Sequence, residues 1–225
     1  GGFICLLTLA LRRFSFKDSI QTQKNIEKIT PTKLIYSLYK HKLILLKMTI
    51  VIGTSYLTYS VSFIMFNALI PIISDNELAD MMKSTTLLLI FDLLCFPICG
   101  RVAENFSPRK VMFFALSAFM LFLIIFWRYI PLFSFNYIFV LRIILFIIGV
   151  LYSCPLILWC YRQISSDDRY ILVGTAHVIG GSIIGKLSVA ISLFILNQYS
   201  NYIHIVYYLN FLIVVAIVAL YFSRD

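Results

Sequence analysis

Charge is what this sequence has least of: Asp, Glu, Lys and Arg make up only 13% of its 225 residues, about half their share in soluble domains. With 61% hydrophobic residues, the chain carries more apolar surface than one soluble core of this length can hide, which excludes a soluble globular fold. Histidines number three and acids ten. No paired carboxylates, nucleophile–base arrangement or metal-ligand spacing unites them, so neither an enzyme nor a cofactor or metal site is expected. The five cysteines, Cys5, Cys95, Cys99, Cys154 and Cys160, include no Cys-x-x-Cys pair and lie within or beside apolar runs. They read as small core residues, not as disulfide or metal groups.

What is present is long apolar runs separated by short charged stretches, the pattern of an all-α integral membrane protein. Residues 1–11 are apolar but too short to cross about 30 Å of hydrocarbon, and read as the end of a truncated transmembrane helix. Arg12 and Arg13 follow this run instead of preceding it, which argues against a signal peptide. Residues 12–45 form a basic linker, and residues 46–225 a six-helix transmembrane domain. Its spans are expected at 46–73, 84–100, 111–127, 137–161, 170–196 and 202–222, with the cluster Asn197-Gln198-Tyr199-Ser200-Asn201 separating the last two.

The net charge of +9 would suit nucleic acid, but the basic residues flank apolar runs, so no nucleic-acid partner is expected. Of the 19 Lys and Arg residues, nine lie in 12–47, three in 101–110, two at Arg162 and Arg169, and one at Arg224, all on one side of the alternating spans. The opposite loops hold only Lys83 and Arg128. The positive-inside rule then places the linker and the C-terminus in the cytoplasm. Within the linker, Thr30-Pro31 is an N-cap with proline at the first helical position, followed at helical spacing by Leu34, Ile35, Leu38 and Tyr39, which predicts a short interfacial helix.

Between the second and third spans the loop reads Gly100-Arg-Val-Ala-Glu104-Asn-Phe-Ser-Pro-Arg109-Lys110, with Pro97 one turn earlier. It resembles the loop signature of the major facilitator superfamily through Gly100, Glu104, Arg109 and Lys110. It departs from that signature in having Glu104 for aspartate, Asn105 and Pro108 for arginines and Ser107 for glycine. Pro97-x-x-Gly100, and Asp168-Arg169-Tyr170 before a glycine-bearing fifth span, resemble the metabolite:proton symporter branch, which includes proline/betaine and dicarboxylate carriers. The resemblance implies the second half of a twelve-helix transporter working by alternating access. It also implies a matching N-terminal six-helix half as partner, and a loop that clamps neighbouring helices through its acid and bases. The alternative is a non-transporting membrane remnant or a subunit of a split transporter.

Asp92 is the only acid inside a predicted span and the candidate proton-coupling group. Lys186, in the outer part of the fifth span, is its candidate partner or a ligand for a substrate carboxylate. His177 is a further proton-relay candidate, weighed against a helix-contact role. Tyr56, Tyr59, Ser60, Phe63 and Asn67 recur at helical spacing, one face suited to lining a substrate cavity. Arg142 is expected near the outer surface, snorkelling as an anchor or reaching substrate. The small-residue pairs Ala176-x-x-x-Gly180 and Gly181-x-x-x-Gly185 predict close helix packing.

Overall fold

The computed structural model describes residues 31–73, 78–132, 134–164, 168–199 and 201–223; the apolar segment 1–11 and the linker up to residue 30 lie outside them. Residues 37–225 form one compact unit holding all six spans. Of the unit 1–36, only the beginning of a helix, Pro31–Lys40, is described.

Six helices are long and apolar enough to cross a membrane: Lys42–Ile73, Leu78–Arg101, Pro108–Phe126, Phe135–Gln163, Arg169–Tyr199 and Ile203–Tyr221. No strand occurs among the described residues, so the architecture is an all-α, multi-pass membrane bundle. The fifth helix runs to Tyr199 and the sixth starts at Ile203, so the last two spans part within the polar cluster expected to divide them. Several spans start earlier than their charge-free cores. The second helix starts at Leu78, and an exposed Lys83–Asp80 pair, 3.1 Å apart at i,i+3, lies in its first turns. The third begins with Pro108 at its first position after an extended Ser107.

Two spans contain a wider turn. The first is π-helical at Val61–Met65 and the fifth at Gly181–Lys186. In the fourth, Pro155 cannot donate a backbone hydrogen bond, and a turn at Cys154-Pro155 divides Phe135–Ser153 from Leu156–Gln163.

The first span is the hub of the bundle. It packs along the fifth and also touches the fourth and sixth, and Met48, Val51, Ile52, Leu57, Val61, Met65, Phe66 and Leu69 on it are wholly buried. The contact with the fifth span is a glycine seam. A Cβ on Gly180 would lie 2.4 Å from the Thr49 carbonyl oxygen, and one on Gly185 2.4 Å from Tyr56 Cβ. Only glycine lets the two backbones approach this closely, as the small-residue spacing predicts. The second span is peripheral: 17% of its most apolar window is buried, against 50% for the first.

Candidate functional site

The first span separates two groups of polar side chains. On one side Tyr59 donates to Asp92 of the second span, Oη to Oδ1 at 3.2 Å, and Asp92 is half-buried. Tyr59 lies parallel to Phe63, with ring centroids 5.9 Å apart, and both meet the edge of Phe146 at 6.4 and 5.6 Å. Phe146 belongs to a small buried cluster with Leu88, Cys99 and Val150, against which Cys95 and Cys154 also pack. Among the described residues this one donor leaves most of the carboxylate's hydrogen-bonding capacity unmet in an apolar setting. That arrangement leaves the carboxylate free to accept a further donor.

On the other side, Tyr56, His177, Val178, Gly181, Ser182 and Lys186 line an open groove of about 300 Å³. Tyr56 Oη is 3.4 Å from His177 Nδ1, and the rings meet edge to face at 6.0 Å. Lys186 is exposed. The ion pairs among the described residues are His41–Asp168 and Lys83–Asp80, so the structure does not join Lys186 to Asp92. Three residues apart, Tyr56 and Tyr59 straddle the line where the first span passes from one neighbour to the next. The single cavity-lining face read from the sequence is therefore divided in two.

Arg142 does not snorkel. It is wholly buried, with Nε donating to the Ser62 carbonyl at 2.6 Å and Nη1 to the Met81 carbonyl and Ser84 Oγ at 2.9 and 2.5 Å. Nη2 donates to the Phe63 carbonyl and Thr85 Oγ1 at 3.3 and 2.8 Å. The physical reason is the π-helical turn: Ser62 and Phe63 lie within it, and a π turn shifts the helical hydrogen-bond ladder, turning carbonyls toward another donor. Asn67, one helical turn further on, exchanges hydrogen bonds with Thr85 at 2.9 and 3.1 Å, while Ser60 is buried. Ser62, Ser84 and Thr85 were not singled out from the sequence. The hydroxyl run Ser84-Thr85-Thr86 at the head of an apolar span was the available signal.

At the opposite ends of these helices, Arg109 donates to the Tyr221 carbonyl and Lys47 to the Phe222 carbonyl, the latter at 2.7 Å. Two cations thus meet the C-terminus of the sixth span, where the helix dipole favours positive charge. Of the other loop-signature residues, Lys110 is exposed and Gly100 has open space where a Cβ would stand; the Glu104 side chain lies outside the described residues. Nearby, Asp168 accepts from Ser37 Oγ at 2.7 Å, and its other oxygen is 3.2 Å from His41 Nε2. The imidazole is close enough to attract as an ion yet is not aimed as a hydrogen-bond donor. The Ser37 bond, with lesser help from His41 and Lys40 and against some desolvation, holds the Asp168 carboxyl below its ordinary value.

No family model and no curated protein matches this sequence.

Proposed function

We propose that the chain is the carboxy-terminal half of a proton-coupled symporter for a small zwitterionic or carboxylate metabolite, such as proline or betaine. The observation that carries this reading is the hydrogen bond between Tyr59 and Asp92 beside the aromatic rings of Phe63 and Phe146. Asp92 takes up a proton in one access state and releases it in the other, and Tyr59 stabilises the charged form by donating to it. The groove on the other side of the first span supports the same reading. Lys186 offers a cation to a substrate carboxylate, and Tyr56 an aromatic face to a quaternary ammonium. The matching six-helix half would supply the facing wall. The bias of basic residues supports a plasma (inner) membrane orientation with linker and C-terminus cytoplasmic.

The test is uptake into proteoliposomes under an imposed proton gradient, with labelled proline, betaine and succinate, with and without a co-expressed amino-terminal half. Accumulation is expected only with the partner, and Asp92→Asn abolishes it while sparing substrate exchange. Uphill uptake by the Asp92→Asn variant at normal protein level overturns the coupling role. Uptake by the 225-residue chain alone overturns the half-transporter reading in favour of a homodimeric carrier.

A further inference from the structure

The basic pair of the loop divides its work: Arg109 turns inward to the Tyr221 carbonyl, while Lys110 points away to the rim of a cleft. That cleft, about 360 Å³, is lined by Phe106, Val111, Phe114 and Leu151 besides Lys110. Phe106 and Phe114 are 61% and 69% exposed, so its walls are large apolar surfaces that nothing in the bundle covers. Lys110 is exposed and makes no hydrogen bond or ion pair among the described residues.

Depth along the helix orders these groups. Lys110 is the third residue of Pro108–Phe126, and Phe114 is one turn, about 6 Å, further into the span. A cation at the helix end with an apolar trough running inward from it matches one amphiphile: a headgroup phosphate at the rim and an acyl chain along Val111, Phe114 and Leu151. Arg101, also exposed and without a partner among the described residues, ends the preceding span and adds positive charge at the same end of the bundle.

We infer that this cleft between the third and fourth spans binds one anionic phospholipid, with Lys110 holding the headgroup. The site depends only on the bilayer setting and stands apart from any transport role.

The experiment is native mass spectrometry of the purified, delipidated full chain offered equimolar phosphatidylglycerol and phosphatidylcholine of identical acyl chains. Wild type retains one phosphatidylglycerol with about fivefold preference, the equivalent of ~1 kcal/mol per lysine near an anionic surface. Lys110→Gln brings the ratio to parity, and Leu151→Trp, which fills the cleft, removes both adducts. Lys110 is exposed, so its variant does not disturb the core, and Lys83→Gln at the other end of the second span leaves the preference intact. Equal retention of both lipids by wild type overturns the proposal, as does a preference that survives Lys110→Gln. Displacement of the lipid by millimolar inorganic phosphate also overturns it, since the cleft would then hold a free anion instead of a lipid. Loss of the adduct on adding a six-helix partner half, without added phosphate, overturns it in favour of a protein contact.

Discussion

Replacing Arg142 with lysine keeps the charge but exchanges a planar five-donor fork for a single ammonium. The fork reaches two carbonyls of the first span, Ser62 and Phe63, and three acceptors of the second, the Met81 carbonyl and the Ser84 and Thr85 hydroxyls. An ammonium has three donors, so at least two of these contacts are lost while a charge stays buried. Membrane-embedded hydrogen bonds are worth about 0.6–1.7 kcal/mol each, which puts the cost of Arg142→Lys at about 1–3 kcal/mol. Arg142→Met breaks all five contacts but also abolishes the penalty of a wholly buried charge, several kcal/mol in itself. It also leaves the Ser62, Phe63 and Met81 carbonyls and the Ser84 and Thr85 hydroxyls without that donor, at about 1–3 kcal/mol for each one that finds no other, so the methionine variant is expected to be the less stable of the two. Thermal unfolding in detergent, followed with a thiol-reactive dye, measures this, because Cys99 and Cys160 are buried until the bundle opens. A lysine variant as stable as wild type would refute the reasoning, since it would show that the fork geometry contributes nothing.

The glycine seam predicts opposite signs for two similar substitutions. Gly180→Ala forces a methyl group 2.4 Å from the Thr49 carbonyl oxygen and costs ~1–3 kcal/mol, whereas Gly174→Ala, with nothing within 4 Å of the new Cβ, is neutral or gains up to ~1 kcal/mol. The same dye assay reads both, and an undisturbed Gly180→Ala variant would deny the close approach. At Asp168 the folded carboxyl is held below the ordinary value of about 3.9 by Ser37. Its stabilisation is therefore fully present above that value and disappears as pH falls through the lowered one. Hydrogen exchange around Ser37 and His41, corrected for intrinsic rates, should stay slow from neutral pH to about 4 and rise at pH 7 in Asp168→Asn. Unchanged exchange in that variant would show that the Ser37 contact carries no load.

The six spans were legible because a charge-free run of sufficient length has one stable solution in a bilayer, and because Asn197–Asn201 could not be left in hydrocarbon. The glycine spacing that seats the fifth span on the first was legible for a similar reason: a missing Cβ is visible in sequence. Arg142 was not. Its depth suggested snorkelling, and the carbonyls that hold it are presented by a π turn that no residue pattern in Val61–Met65 announces. The pairing of Lys186 with Asp92 failed on a related point. Periodicity says which residues share a face of one helix, but not which neighbour that face meets, and the first span lies between the two groups. Tyr59 with Asp92, and Tyr56 with His177, each unite residues already singled out, so the candidates were legible and their grouping was not.

The π turn at Val61–Met65 also sets the phase of the first span. A π turn accommodates one residue more than the α turn it replaces, and each α-helical residue advances the side chains by about 100°. Upstream of it, Tyr56 and Tyr59 are in phase with the fifth and second spans; downstream, Asn67 is in phase with Thr85. Removing one residue from the turn would restore a regular α turn and leave the phase from Phe66 onward nearly unchanged, with Asn67 still opposite Thr85, while the Ser62 and Phe63 carbonyls would return to the helical ladder and be lost to Arg142. A one-residue change of length here thus alters which donor the carbonyls meet and leaves the helix face where it was. The irregular turn lets one continuous helix give up backbone acceptors to a neighbour without losing its rotational setting.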